Sequence, residues 1–212
     1  MYNKVSKVRN QMKVFKNKKI YTYKETFRTA VCFFNGLRFI KKAKKDKVIN
    51  KAFVERIMLG VTEVNGCTLC SYQHTGVALK AGLSREEIRA LLDGELQTVK
   101  EHEIIGVLFG KHVADQRGLF DKEAYDRMVK EYGEERSLGV LGAVRIIMFT
   151  NIIGIMGGVL YDTLTLKNKK LGLFIHELIR LPLLIIMMPI AFITFLGLQL
   201  LSIERLKLGY KA

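Results

Sequence analysis

Two cysteines and a histidine, Cys67, Cys70 and His74, stand three and four residues apart, and that spacing constrains the chain more than any other feature. An α-helix turns once every 3.6 residues, so positions three, four and seven apart share a face. On a helix the three side chains form one stripe, with an imidazole one turn from a thiol. That is the arrangement needed to favour a thiolate and to move a proton. Two cysteines at this spacing can also close a disulfide with little backbone movement. Glu55 lies upstream, in a segment from about Val48 that should be helical and stop at the turn dipeptide Asn65-Gly66. Cys67 follows that turn, at the positive end of the next helix dipole.

The rest of the body is also punctuated for helices. The Cys67 helix is predicted to run to Ala81, with Gly82 as its C-terminal cap. Ser84-Arg-Glu-Glu87 reads as a capping box for a short helix closed by Asp93-Gly94, and Thr98-Val-Lys-Glu101 as a second box for a helix ending near Gly118. Asp121 is placed to cap a helix reaching Tyr132, and an apolar helix should follow from about Glu135 to Leu164. No period-2 alternation and no long repeat interrupts this pattern, and the chain has 2 Pro and no Trp. The fold class is therefore all-α, one domain with appendages.

Glu55, Cys67, Cys70 and His74, with Asn65-Gly66 before the pair and the run from His74 to Ile88 after it, resemble the AhpD-like alkylhydroperoxidase / carboxymuconolactone decarboxylase family in its CxxC branch. A looser likeness continues through Ala114–Asp121 and Gly139–Leu160, so the resemblance spans about Val48 to Thr163. It implies an AhpD-like helical bundle assembled as a homo-oligomer, a trimer or hexamer. It also implies reduction of a peroxide or disulfide, an external dithiol or thioredoxin-like reductant, and no cofactor. Carried over residue by residue, Cys70 is the attacking thiolate, Cys67 the resolving thiol and His74 the proton shuttle, while Glu55 holds His74 and polarises water. Peroxidase members carry a second His between the two cysteines. This chain has Leu69 there, so that relay group is missing. Decarboxylase members generally lack the CxxC pair, and its presence counts against a ring-acid decarboxylation.

Both ends lie outside the resemblance. Residues 1–47 hold 15 Lys/Arg against 2 Asp/Glu, which is nearly all of the net charge of +15. This basic N-terminal arm is expected to be mobile or weakly helical to Lys24, then an amphipathic helix over Phe27–Ile40 followed by the lysines of 41–45. It suits phosphate in anionic lipid or nucleic acid, but no helix-turn-helix, zinc-finger or RNP-like string accompanies it, which argues against sequence-specific nucleic-acid binding. Residues 48–165 form the family-like domain. Residues 166–212 form an apolar C-terminal helical extension in which Leu181–Leu198 carries no charge and is close to the length of a membrane span. Pro182 and Pro189 suggest a kinked span or a re-entrant hairpin, with a buried dimer helix as the other reading. Together the ends predict a cytoplasmic protein attached to the inner face of a membrane, and a non-catalytic membrane-surface assembly protein is the rival to an enzyme. Gly139–Leu160 is also apolar, but Arg145, Thr150 and Asn151 interrupt it, and the family resemblance implies a place in the soluble core or at a subunit interface rather than in a membrane.

The remaining candidates carry blander expectations. Cys32 reads as a buried small hydrophobe. Three cysteines do not make a disulfide scaffold, and the pair is expected to be reduced in the cytoplasm. A zinc site would lack a fourth ligand. His102 and His112 are expected at the surface or satisfied in the core, and Glu63 at a solvated helix end. His176-Glu177 falls short of a metalloprotease signature because Arg180 stands where the second His belongs.

Overall fold

A computed structural model of the chain describes residues 18–165, 171–201 and 209–210. These form α1 (Tyr23–Lys45), α2 (Lys51–Asn65), α3 (Thr68–Lys80), α4 (Arg85–Leu92), α5 (Glu101–Asp115), α6 (Lys122–Tyr132), α7 (Glu134–Leu164) and α8 (Leu171–Leu200). Among the described residues there is no strand, and Phe120 and Tyr210 form an isolated bridge. The fold is all-α.

The apolar run of α7 is a core column: 78% of its most apolar window is buried. α1 lies along it, and the approach is close because both helices carry glycine at the crossing. A Cβ on Gly142 would stand 2.8 Å from Ile40 N and 2.9 Å from Gly36 O, so only a bare backbone fits. α2 packs against α5 and α7 through fully buried residues including Phe53, Ile57 and Val107. The buried ion cluster of Arg56 with Glu87 (2.5 Å) and Glu103 (2.8 Å) ties α2 to the starts of α4 and α5.

Several helix boundaries differ from the sequence expectation, each for a local reason. α1 starts at Tyr23 rather than Phe27, because Thr22 and Glu25 form a reciprocal capping box: Glu25 N–H donates to Thr22 Oγ1 (3.2 Å) and Thr22 N–H to Glu25 Oε2 (2.7 Å). Residues 18–22, expected in a mobile stretch, lie outside any helix and are pinned to the body; residues 1–17 of that stretch lie outside the described residues. The Thr98 box does not form. Val99 is buried and its N–H bonds Leu96 O at 2.9 Å, which holds Thr98 in a turn, and α5 begins at Glu101. At Ser84 only half the box is made, since Glu87 turns to Arg56 instead of reaching back. Asp121 occupies the cap position of α6 without a side-chain cap bond, its carboxylate lying 3.2 Å from His112 Nε2.

α8 is one helix straight through Pro182 and Pro189, so no re-entrant hairpin forms. Two prolines remove only two of its hydrogen bonds, and a seam against α1 and α7 holds the helix in place. In that seam Phe34 meets Phe192 and Phe195, and Phe149 joins Leu184 and Ala191.

Candidate functional site

α2 ends because Gly66 adopts φ 70°, a left-handed conformation that glycine enters freely, and its N–H returns to Thr62 O and Glu63 O. The reversal makes Cys67 the N-cap of α3 rather than its first helical residue. Its Sγ accepts the Cys70 N–H at 3.2 Å. A helix N-terminus favours negative charge, so a thiolate is well placed there. Asn65 is locked at the turn: its Oδ1 accepts from Tyr21 Oη at 2.6 Å, and its Nδ2 donates to Met148 Sδ at 3.4 Å. Burial pushes the Tyr21 phenol above its ordinary range despite the nearby Arg117, which keeps it a neutral donor.

Cys67 and Cys70 are joined as a disulfide, with their Cα atoms 5.3 Å apart. The sulfurs are enclosed: Cys67 is 0% and Cys70 4% exposed. α7 forms one wall, with Ile155 and Val159 packed on the pair and Thr150 O 3.7 Å from Cys70 Sγ. Gly154 is part of that wall by necessity, since a Cβ there would stand 2.6 Å from each sulfur. Ile20, in the 18–22 segment, packs against the same cluster. Lys19 N–H to Asn65 O (3.0 Å), Lys18 Nζ to Asp162 (2.6 Å) and Arg117 Nη1 to Ile20 O (2.9 Å) hold the segment down.

One turn along α3 from Cys70, His74 Nδ1 lies 2.8 Å from Glu55 Oε2 on α2. The Glu55 side chain is 7% exposed and that of His74 19% exposed, so the carboxylate is shielded while the ring keeps an outlet. The four residues chosen from the sequence thus fall into two bonded pairs on a single helical hairpin. Leu69 is 48% exposed, in contrast to the buried cysteines that flank it.

Other candidates are engaged elsewhere. Glu63 pairs with Lys111 at 2.9 Å, His102 lies 3.7 Å from Glu103, and His176 Nδ1 contacts Glu177 at 3.0 Å. Cys32 is buried and free. Among the described residues no three His, Cys, Asp or Glu side chains are grouped to hold a metal ion. Sequence reasoning missed Ile20, Thr150, Gly154, Ile155 and Val159. Only Gly154, a lone small residue amid bulky apolar neighbours, offered a local signal.

The arrangement is a buried dithiol–disulfide pair beside a histidine oriented by a carboxylate, able to exchange two electrons and to carry protons. No curated protein and no solved structure matches the chain. The carboxymuconolactone decarboxylase family model matches residues 32–99, starting within α1, earlier than Val48, and ending at Val99, well short of Thr163. All four site residues lie inside the match. Over residues 32–99 the chain is thus similar to the carboxymuconolactone decarboxylase family, which covers the AhpD-like proteins, and its CxxC pair lies within that span.

Proposed function

We propose that the chain is a thiol-based oxidoreductase that reduces a peroxide or a disulfide through Cys67 and Cys70. The observation that carries this reading is the Glu55–His74 contact at 2.8 Å, one helical turn from Cys70 and its disulfide with Cys67. With a hydroperoxide, the Cys70 thiolate attacks the terminal oxygen. An S–O bond forms, the O–O bond breaks, and the departing alkoxide takes a proton from the His74 imidazolium to leave as alcohol. Cys67 then gives its proton to His74 and attacks the Cys70 sulfur. The S–O bond breaks, and the hydroxide released takes that proton and leaves as water, giving the Cys67–Cys70 disulfide. An external dithiol returns two electrons and two protons by exchange. Because both sulfurs are enclosed, oxidant and reductant reach them when the 18–22 segment lifts.

Turnover measured with hydrogen peroxide, an organic hydroperoxide and a small disulfide, alongside thiol titration, tests the reading. The expected result is rapid loss of two thiols, their return with a dithiol, and retention of Cys32. Thiols that neither react with any of the three oxidants nor cycle would overturn it in favour of an assembly protein. The family match also admits the ring-acid decarboxylation that gives the family its name. Decarboxylation that survives alkylation of both cysteines would establish that reading instead.

A further inference from the structure

From Phe174 to Leu200 every exposed residue of α8 is apolar. Ile186 and Ile193, for example, are 61% and 67% exposed. The charged side chains of this stretch face inward, and its other polar groups are partly covered or bonded within the protein. Glu177 and Arg180 are buried beneath it, paired at 3.3 Å, and Arg180 also donates to Thr26 of α1. Gln199 donates to Asn35 Oδ1 (3.2 Å) and accepts from Arg38 (2.8 Å), while the Thr194 hydroxyl returns to Ile190 O at 2.8 Å. At 100° per residue the exposed positions cover about 200° of the circumference and the inward seam about 100°. This is the reverse of a water-facing helix, and a contiguous exposed apolar face of this kind marks an interaction surface.

We infer that α8 lies in the plane of a membrane surface, its outward arc sunk among acyl chains and both its ends set against anionic headgroups. A second copy of the chain, packed as one more helix face, would cover only about 100° of that arc. An in-plane seat is favoured over a span because α8 is bound to α1 at two points nineteen residues apart, by Arg180 to Thr26 and, near its C-terminal end, by Gln199 to Asn35 and Arg38. A spanning α8 would drag α1, α7 and their charged surroundings into the hydrocarbon. The ends carry the matching charge. Lys167, Lys169 and Lys170 precede the helix in the sequence. At its far end the α1 stripe continues past Arg38 through the exposed Lys41 and Lys45. Basic side chains at this level attract anionic lipid. The inference is independent of the redox reading.

Because the chain has no Trp, single substitutions give clean depth reports. Ile179→Trp, Ile186→Trp and Ile193→Trp, seven residues apart on one face, are placed in the full chain and bound to vesicles of phosphatidylcholine and phosphatidylglycerol in equal parts. Brominated acyl chains then quench by depth. The expected result is equal, strong quenching at all three positions. Deepest quenching at position 186, with 179 and 193 shallow, would show a span and overturn the in-plane seat. No quenching, with the chain sedimenting as an oligomer without lipid, would assign the face to a second copy. The double variant Ile186→Glu/Ile193→Glu removes two exposed side chains and should leave thermal unfolding in solution unchanged while lowering vesicle partitioning about tenfold or more. Unchanged partitioning would also overturn the inference. Binding to phosphatidylcholine alone should be weaker, and equal binding would remove the role of the basic ends.

Discussion

Glu55 and His74 meet at 2.8 Å across the α2–α3 hairpin, with a largely buried carboxylate fixing a ring that stays partly open. The contact orients the imidazole one turn from Cys70 and supplies a counter-charge whenever the ring takes up a proton. If the pair serves proton transfer, its loss should be felt most where the thiol needs help to ionise. His74→Ala should slow peroxide consumption about tenfold or more near neutral pH and much less at about pH 9, where an ordinary thiol ionises unaided. Glu55→Gln should act in the same direction more weakly. Equal losses at both pH values would make the pair structural.

The division of labour between the sulfurs is separately testable. Cys70→Ser should abolish turnover. Cys67→Ser should permit one reaction with peroxide and stall at a sulfenic acid that a dimedone-type probe traps on Cys70. Trapping on Cys67 in the Cys70→Ser variant would reverse the roles, an outcome that the N-cap position of Cys67 makes worth measuring.

Leu69 stands where peroxidase members carry a second histidine, and its exposure leaves room for a longer polar side chain. Leu69→His should therefore fold normally. A gain in hydroperoxide turnover would show that the missing relay group limits the rate, and no gain would show that His74 suffices.

Two glycines of α7 three residues apart should respond to alanine with opposite signs. At Gly157 nothing lies within 4 Å of a new Cβ, so Gly157→Ala should stabilise the fold by about 0.5–1 kcal/mol through helix propensity. At Gly154 the Cβ would stand 2.6 Å from both sulfurs, and overpacking of about 1–3 kcal/mol should outweigh the same gain. Denaturant unfolding of the oxidised chain measures both. Similar effects at the two positions would mean that the sulfurs do not rest on the α7 backbone.

How much of this was legible follows from the range of the interactions involved. The Cys67–Cys70–His74 stripe and the Gly66 stop are local consequences of helix period and turn chemistry, and both could be read from adjacent residues. Glu55 was reached through the family resemblance, since nothing local says which carboxylate will meet His74. The α7 wall was not legible, because Thr150 and Gly154 lie about eighty residues from the cysteines and contact them only through tertiary packing. The 18–22 segment was misread for a related reason. Its lysines suggested a solvated arm, yet Lys18 and Lys19 spend their charge on Asp162 and Asp115 while Ile20 and Tyr21 turn inward. The apolar character of α8 was plain from composition, but its continuity through two prolines depends on a seam with α1 that no local rule describes.

The last prediction concerns the 18–22 segment, whose lifting is the proposed route of reductant to the sulfurs. Two carboxylates help to hold the chain on either side of Ile20. Asp115 sits 3.1 Å from Lys19 Nζ, which draws its carboxyl below the ordinary range. For Glu25 burial acts to raise the value, but the Thr22 hydrogen bonds and Arg117 outweigh it, and the net shift is again downward. A carboxylate with a depressed folded-state value contributes stability that is fully present above the ordinary carboxylate range and is lost as pH falls through the folded value. Asp115 is 67% exposed and Glu25 19%, and the partners of both remain partly open to water, so the gain is modest, and it disappears only in acid. Reduction of the Cys67–Cys70 disulfide by a water-soluble phosphine, which acts in acid, should accelerate as pH falls below about 4. Ile20→Ala should accelerate it at every pH by opening the cover directly. A reduction rate that is flat with pH and unaffected by Ile20→Ala would show that the reductant enters by another route.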